Sequence, residues 1–353
     1  MDSVESSSGE RSSPDAAARG GAKTIAQAGS ISVLLPTRNS MALLPGHLDA
    51  MEAWIDLAHE VVVVDSGSTD GTRETLQARL EPARTRFFDH PPGLYASWNF
   101  GLQQLRGEYA YISTVGDTIT RAGVEDLRDA LAESRGDVVI SKPTFLEMDG
   151  RTRAIDWPID DVIQTLGLDR PRRLSRWEAL IFVLAHANAA LLGSCASNLF
   201  RAEILQRFPF PTGFGANGDG MWGVQHAAEI DWVVTPETVS TFRLHQTSAT
   251  HSSAPSTHGA PALAEVIDSM LVAQTRAGRL SPNVLRETGV DDVRRAFADW
   301  MRHKETFDRL RKGAWPWSLN PRAWSERIQR ERGARRLRAA KARALARVAD
   351  LPR

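Results

Sequence analysis

The chain has 353 residues, 42% of them hydrophobic and 24% charged, with a formal net charge of zero. These values are typical of a soluble globular protein with one large or two modest domains. A single cysteine, Cys195, excludes an intrachain disulfide and fits a reducing, intracellular compartment. The most apolar run, residues 179–194, is too short to predict a membrane span and indicates a buried helix instead.

Residues 1–29 are polar and carry acids near the start. They lack a basic segment followed by an apolar one, so they do not resemble a signal peptide. We therefore expect a disordered leader and a cytoplasmic protein.

From residue 30 onward, strands and helices alternate. The predicted strands are 30–36, 60–65, 85–90 and 107–112, and the predicted helices begin near Pro45, Thr72 and Leu94. This alternation is typical of βαβ units that build a parallel sheet. In such sheets ligands bind beyond the carboxyl ends of the strands, where this chain has the polar turns 36–39, 65–72 and 114–118.

The second half is mixed in character. The pattern predicts a strand over 136–145, helices over 198–205 and 221–229, and extended segments over 230–245. Further helices are predicted over 261–280, 290–311 and 325–349. Residues 301–353 hold 16 Lys or Arg and 5 Asp or Glu, so the end of the chain is strongly basic.

Several motifs in order carry a family resemblance. They are "ISVLLPTRN", "EVVVVDSGSTDGT", "GLYASWNFGLQQLRGEY", "TVGD", "GSCASNLFR", "GDGMW" and "TFRLHQTSAT". Together they resemble the family 2 glycosyltransferases of the GT-A fold, in the branch that has an Asn-Ser-Gly-Asp-like motif in place of Asp-x-Asp. The resemblance covers residues 30–250 and implies a Rossmann-like α/β domain with a mostly parallel sheet flanked by helices. Residues 251–353 would then form a helical, basic C-terminal extension.

The resemblance also implies a nucleotide-sugar donor, inversion at the anomeric carbon and a divalent metal, Mn²⁺ or Mg²⁺. Where relatives have Asp-x-Asp, this chain has Thr114-Val115-Gly116, followed by Asp117. We expect Asp117 to contact the metal and the donor, and the resemblance suggests His245 as a second metal or phosphate contact. The alternatives are a turn residue for Asp117 and a structural or surface histidine for His245.

The nucleotide site is expected at the first two turns. Asp65 ends a strand of four valines, and the resemblance implies that it contacts the nucleotide. Ser66 stands where many relatives have a second acid. Pro36, Thr37 and Arg38 follow the first strand; Thr37 can hydrogen-bond the base or ribose, and Arg38 can stack on a base or pair with phosphate. A surface ion pair is the alternative for Arg38.

The resemblance also implies roles for four further residues. Asn99, in "WNFG", would border the donor sugar or only hold its loop, and Asn198 and Arg201 would line the acceptor side. Asp219, in a glycine-rich loop before a predicted helix, matches the carboxylate that activates the acceptor. A helix N-cap is the alternative role for Asp219.

We therefore expect an inverting glycosyltransferase that acts on a glycan or lipid-linked acceptor in cell-envelope or capsular polysaccharide synthesis. Nucleic acid is not an expected partner. The basic tail, with three tryptophans in residues 313–324, suggests peripheral contact with a membrane, although a helix that is solvated on one face and packed on the core by its Leu and Trp residues is the favoured explanation.

Three other functions remain to be weighed. A GT-A-like domain could bind a nucleotide or glycan without transfer, as the missing Asp-x-Asp would allow. A nucleotidyltransferase ranks lower because no glycine-rich loop follows the first strand. A dinucleotide-binding domain ranks lower still because G-x-G-x-x-G is missing there.

Overall fold

The computed structural model describes residues 28–187, 191–192, 195–244, 260–312 and 317–349. Most of the predicted leader, residues 1–27, lies outside this part of the chain. The strands are β1 (Ile31–Thr37), β2 (Ala58–Asp65), β3 (Thr85–Asp89), β4 (Tyr109–Ile112), β5 (Thr118–Ile119), β6 (Val138–Ile140), β7 (Pro143–Leu146), β8 (Arg172–Arg173), β9 (Asn198–Arg201), β10 (Trp232–Val234) and β11 (Ser240–Arg243).

Helices connect and cover these strands. They are α1 (Leu44–Met51), α2 (Thr72–Arg79), α3 (Leu94–Leu102), α4 (Arg121–Ser134), α5 (Pro158–Leu166), α6 (Arg176–Ala185), α7 (Ala202–Arg207), α8 (Gly218–His226), α9 (Ala260–Arg276), α10 (Pro282–Glu287), α11 (Val290–Arg311) and α12 (Pro321–Val348). Short 3₁₀ turns lie at Ile55–Leu57, Cys195–Ser197, Thr212–Asn217 and Trp317–Leu319. Among the described helices, none is both long enough and apolar enough to span a bilayer.

One eight-stranded sheet forms the centre, in the order β3-β2-β1-β4-β9-β6-β10-β8. Strands β3, β2, β1 and β4 are mutually parallel. Strand β9 is antiparallel to both β4 and β6, and β8 is antiparallel to β10. The predicted α/β architecture with a mostly parallel sheet and a helical C-terminal region is confirmed.

Alternating side chains of the central strands fill two cores, one on each face of the sheet. Leu34, Val62 and Ile112 belong to one core, whereas Leu35 and Val63 belong to the other. Helices α1 and α4 cover the second face, and α3, α6 and α8 cover the first together with the C-terminal helices. Strands buried on both faces explain the unbroken apolar runs of the sequence.

A smaller sheet, β5-β11-β7, lies beside the carboxyl edge of the large one. Strand β11 runs parallel to β7 and antiparallel to β5. Residues 136–145, which we expected to form one strand, are two strands, β6 and β7, in two different sheets. The chain changes sheet at Ser141 and Lys142, between the two strands.

Residues 198–205 differ from the predicted helix. The first four residues form β9 and only the rest form α7. Asn198, Leu199 and Phe200 are fully or almost fully buried between β4 and β6. Pairing on both sides satisfies their backbone groups, so tertiary contacts override the local helical pattern.

The C-terminal helices α11 and α12 form an antiparallel hairpin that packs on α6. Gly333 lets them approach closely, because a Cβ added there would lie 3.1 Å from the Trp300 Cα.

Lys341 of α12 is buried and bonds both carboxylate oxygens of Asp161. The same carboxylate accepts a 2.7 Å hydrogen bond from His186 Nε2. Burial would raise the pKa of Asp161, but hydrogen bonds from His186 and Lys341 outweigh burial and lower this pKa to about 2.

We predict that Lys341→Met loosens the attachment of α12. The substitution keeps the apolar stem but removes the charge that faces Asp161, so the free energy of unfolding in urea should fall by about 1–3 kcal/mol. The control is Lys304→Met, which removes a more exposed ion pair with Asp308 within α11. That change should cost no more than about 0.5 kcal/mol. Equal effects of the two substitutions would contradict a stabilising role of the Lys341–Asp161 pair.

Candidate active site

The carboxyl ends of β1 and β2 meet at Asp65, which lies opposite Thr37 in the register of the two strands. The Asp65 carboxylate is 3% exposed. It accepts hydrogen bonds from Thr37 Oγ1 at 3.1 Å, from Ser68 Oγ at 2.5 Å and from Ser68 N at 3.1 Å. Ser66 N donates to the Thr37 carbonyl at 2.9 Å, which holds the start of the second turn against the first strand.

The first two turns are tied together by their own side chains. Asn39, in a left-handed conformation with φ of 46°, accepts from Thr69 N at 2.8 Å, and Asn39 N donates to Ser68 Oγ at 2.9 Å. Asp70 accepts from Met41 N at 3.0 Å. These bonds fix the two turns relative to each other. The exposed side chain of Arg38 is therefore carried on a well-defined turn, next to Thr37.

Asp117 lies in the turn that follows β4 and is 8% exposed. Its carboxylate accepts from Thr114 Oγ1 at 2.9 Å and from Arg243 N, at the end of β11, at 3.1 Å. The smaller sheet thus brings the chain just before residue 245 to Asp117. His245, the expected second metal contact, lies outside the described residues.

Asp219 occupies the first turn of α8. The helix begins at Gly218, so Asp219 is inside it and is not the N-cap, which is Asn217. Asp219 Oδ1 accepts from Gly220 N at 2.7 Å. Burial raises the pKa of Asp219 to about 6, although hydrogen bonds from Gly220 N and the Tyr95 side chain oppose the shift.

Asp117 and Asp219 come from distant parts of the sequence, but the charges of both affect the pKa of the buried Cys195 thiol. Burial raises the pKa of Cys195, and the negative charges of Asp219 and Asp117 raise it further. Both carboxylates therefore lie within electrostatic reach of one point below the carboxyl edge of the sheet. Because its thiol is buried and stays protonated, Cys195 is unsuited to act as a nucleophile.

Asn99 is engaged with the protein itself. Its Nδ2 donates to the Phe210 carbonyl at 2.8 Å, and its Oδ1 accepts from Phe210 N at 2.9 Å. The side-chain amide thus holds the segment that leads into the Thr212–Asn217 turn and Asp219. This geometry favours the loop-holding alternative for Asn99.

The two residues expected on the acceptor side are not brought together. Arg201 pairs with Tyr109 at the amino end of β4, and its Nη1 donates to Glu108 at 2.9 Å. It therefore lies at the opposite edge of the sheet from Asp117. Asn198 is fully buried, and its Nδ2 donates to the Leu192 carbonyl at 2.6 Å, so it supports the chain around Cys195.

One residue of the site was not expected from the sequence. His47, on α1, is 2% exposed, and its Nε2 lies 2.9 Å from Ser113 Oγ, directly before the Asp117 turn. Burial lowers the pKa of His47 to about 4, and a hydrogen bond with the Asp117 backbone partly opposes this shift. In the sequence, His47 shares the apolar face of Leu44 and Met51, a pattern that gives no sign of its contacts.

The described part of the chain offers few ligands for a metal ion. No group of three or more His, Cys, Asp or Glu side chains occurs there that could hold a metal ion. Asp117 is the carboxylate at the end of β4. Both of its oxygens accept hydrogen bonds from the protein. A single carboxylate suits a cation that is held largely by substrate phosphates.

Comparison with known proteins gives matches in sequence and in fold. Residues 32–197 match the sequence profile of glycosyl transferase family 2. The fold is similar to that of S. aureus TarS 1–349 in complex with UDP-GlcNAc, with a TM-score of 0.59, 16% identity, and coverage of 90% of this chain and 89% of that one. No curated protein matches the sequence.

Two further structures are similar. A longer S. aureus TarS structure has a TM-score of 0.53 and 15% identity, over 88% of this chain and 55% of that chain. The mannosyltransferase PcManGT from Pyrobaculum calidifontis, in complex with GDP-Man and Mn²⁺, has a TM-score of 0.45 and 19% identity, over 92% and 76%. The profile match and the likeness to TarS 1–349 define the fold as GT-A-like, and the expected fold is confirmed.

We predict that His47 makes stability depend on pH. The folded protein binds a proton at His47 only near pH 4, whereas the unfolded chain binds it near pH 6.5. The contribution is complete above about pH 6.5 and is lost as the pH falls toward 4, by up to about 3 kcal/mol. Urea unfolding of wild type and His47→Gln at several pH values isolates the contribution of His47 to the free energy of unfolding, because Gln does not titrate.

The control is His59→Gln, at an exposed position on β2. This variant should keep the wild-type pH dependence of unfolding. If His47→Gln also kept it, the burial of a neutral His47 would be contradicted.

Proposed function

We propose that the protein is an inverting glycosyltransferase that moves a sugar from a nucleotide-sugar donor to a hydroxyl group of a glycan or lipid-linked acceptor. The observation that carries this proposal is the parallel pairing of β1 with β2 and β4, which brings Thr37, Asp65 and the Asp117 turn to one edge of the sheet. The profile match over 32–197 supports a transferase. By resemblance alone, we assign the reaction to cell-envelope or capsular polysaccharide synthesis in the cytoplasm.

The nucleotide would bind at the ends of β1 and β2. Thr37 and Asp65 offer a rigid pair of polar groups, and the adjacent Arg38 is exposed and available to phosphate or a base. TarS, whose fold is similar, is seen with UDP-GlcNAc. This supports a nucleotide-sugar donor as the substrate class. With Ser66 in place of a second acid, one carboxylate, Asp65, would face a base N–H at this turn.

Asp117 would hold the divalent metal together with the donor phosphates, and we keep His245 as the proposed second ligand. Such a cation neutralises charge on the leaving nucleoside diphosphate. Thr114 and the Arg243 backbone orient the Asp117 carboxylate. His47 supports the same turn through Ser113.

Asp219 would accept the proton of the acceptor hydroxyl as its oxygen bonds to the anomeric carbon. A general base works best when its pKa lies near the working pH, and burial moves the pKa of Asp219 to about 6. Gly220 N holds the carboxylate in place, and the Tyr95 hydroxyl donates to the Ala216 carbonyl in the turn just before it. The first turn of α8 also favours the ionised form that must take the proton.

We predict that Asp219→Asn lowers turnover by roughly 10²–10⁴-fold, with donor affinity near that of wild type, because Asn cannot accept the proton. In wild type, kcat/KM should rise with pH through about 6, as Asp219 ionises. The residual activity of Asp219→Asn should lack that rise. Sugar-transfer assays across pH, with calorimetric donor titration, measure both quantities.

Asn217→Ala, two residues earlier at the N-cap, is the matched control, because no side-chain cap bond from Asn217 is lost. Its turnover should stay within a few fold of wild type. Wild-type turnover in Asp219→Asn would require a different base.

We predict that Asp117→Ala abolishes metal-dependent donor binding, whereas Thr114→Ala weakens it by about tenfold at most, the usual worth of one lost neutral hydrogen bond. The physical reason is that Asp117 is the carboxylate at the end of β4, while Thr114 only orients it. Calorimetric titration of donor with and without Mn²⁺ measures the effect. Unchanged affinity in Asp117→Ala would favour a purely structural turn residue.

A non-catalytic nucleotide- or glycan-binding protein is the second candidate function. One observation favours it: the described residues contain no group of three or more His, Cys, Asp or Glu side chains that could hold a metal ion. The two functions differ in a simple way. If every donor that binds wild-type protein is neither transferred nor hydrolysed, the non-catalytic function holds.

A further inference from the structure

The tip of the α11–α12 hairpin exposes large apolar side chains. Leu319 is 70% exposed, Ile328 is 47% exposed and Trp324 is 44% exposed. Trp324 and Ile328 are four residues apart on α12, so they lie on the same side of that helix. Leu319 lies in the short turn that precedes the helix. The three side chains therefore belong to one end of the hairpin.

Trp324 is held in place. Its Nε1 donates to the Ser318 carbonyl at 2.8 Å, so the indole N–H needs no external acceptor. The guanidinium of Arg327 lies 5.3 Å from the centre of the ring. An indole with its polar group satisfied can enter an apolar environment at lower cost than one with an unpaired donor.

Basic residues lie farther along α12, on the same side of the helix as Trp324 and Ile328. At 3.6 residues per turn, Arg332, Arg335 and Arg338 fall within an arc of about 120° together with Trp324 and Ile328. All three arginines are exposed, and in the described part of the chain none of them forms an ion pair. Glu331 lies on the same arc but is paired with Arg327 at 3.3 Å.

The surrounding charge has the same sign. Helix α12 carries 10 Lys or Arg and 2 Glu. At the end of α11, next to the tip, Arg309, Arg311 and Lys312 are also exposed. We define the hairpin-tip surface as Leu319, Trp324, Ile328, Arg332, Arg335 and Arg338.

We propose that the hairpin-tip surface docks on an anionic phospholipid membrane, with its three apolar residues at the headgroup boundary and its arginines on lipid phosphates. Charge complementarity is the argument for this partner: a cluster of exposed arginines beside exposed Trp, Leu and Ile matches a surface that is apolar inside and negative outside. Aliphatic Leu319 and Ile328 offer no ring on which bases could stack, which disfavours a nucleic acid.

The proposal also fits the attachment of the hairpin. Lys341 and Asp161 fix α12 to the α/β domain, so docking at the tip would orient the whole protein on the bilayer. The proposal does not depend on the proposed sugar transfer, because vesicle binding is measured without donor or acceptor.

The test is co-sedimentation of the full chain with vesicles of phosphatidylcholine alone and of phosphatidylcholine mixed with phosphatidylglycerol. Two variants divide the surface: Trp324→Ser/Ile328→Ser, and Arg335→Gln/Arg338→Gln. The charge-matched control is Arg151→Gln/Arg153→Gln, two exposed positions after β7. Circular dichroism and urea unfolding check that each variant is folded.

We expect binding to the mixed vesicles, weakened by salt, and little binding to phosphatidylcholine alone. Each hairpin-tip variant should reduce binding by about tenfold or more, while the control stays within about twofold of wild type. Three results would overturn the proposal: no binding to mixed vesicles, equal loss in the control, or self-association or RNA binding that the hairpin-tip variants abolish while vesicle binding persists.

Discussion

Strand β1 is hydrogen bonded to β2 on one side and to β4 on the other, and all three strands run parallel. This pairing brings the turns after three adjacent strands of the sheet to one edge, although helices separate these strands in the sequence. Thr37 and Asp65 are level in the register, and Ser113, just before the Asp117 turn, donates from its backbone to Leu34. Every candidate contact to the donor depends on this pairing.

Burial shifts the pKa values of three ionisable groups near that edge. Burial lowers the pKa of His47, raises that of Asp219 and raises that of Cys195. Removing a charge from water disfavours the ionised form of each group, whatever its sign. His47 and Cys195 are therefore neutral near pH 7, and Asp219 has a pKa suited to proton transfer.

The C-terminal helices serve the fold and present a separate surface. Their inner side packs on α6, with Gly333 allowing the close approach of α11 and α12. Their outer side carries most of the basic excess of the chain's end. Packing therefore uses one side of α12 and leaves the other side exposed.

The sequence by itself determined the repeating strands and helices up to residue 112 and the polar turns at their ends. Local patterns suffice there, since strands buried on both faces need unbroken apolar runs and turns need Gly, Asp, Ser and Thr. It also singled out Asp65, Asp117 and Asp219. Only the tertiary structure decided that residues 198–201 form a strand, because that strand exists through its pairing with β4 and β6.

Only the tertiary structure determined the structural roles of several side chains. Asn99 clamps Phe210, Arg201 lies at the far edge of the sheet, and His47 supports the Asp117 turn. Each of these roles depends on a partner that is 65 or more residues away in the sequence. The alternation of apolar and polar residues reports whether a side chain is buried, but not which distant group it meets, because that partner is set by the order and register of the strands.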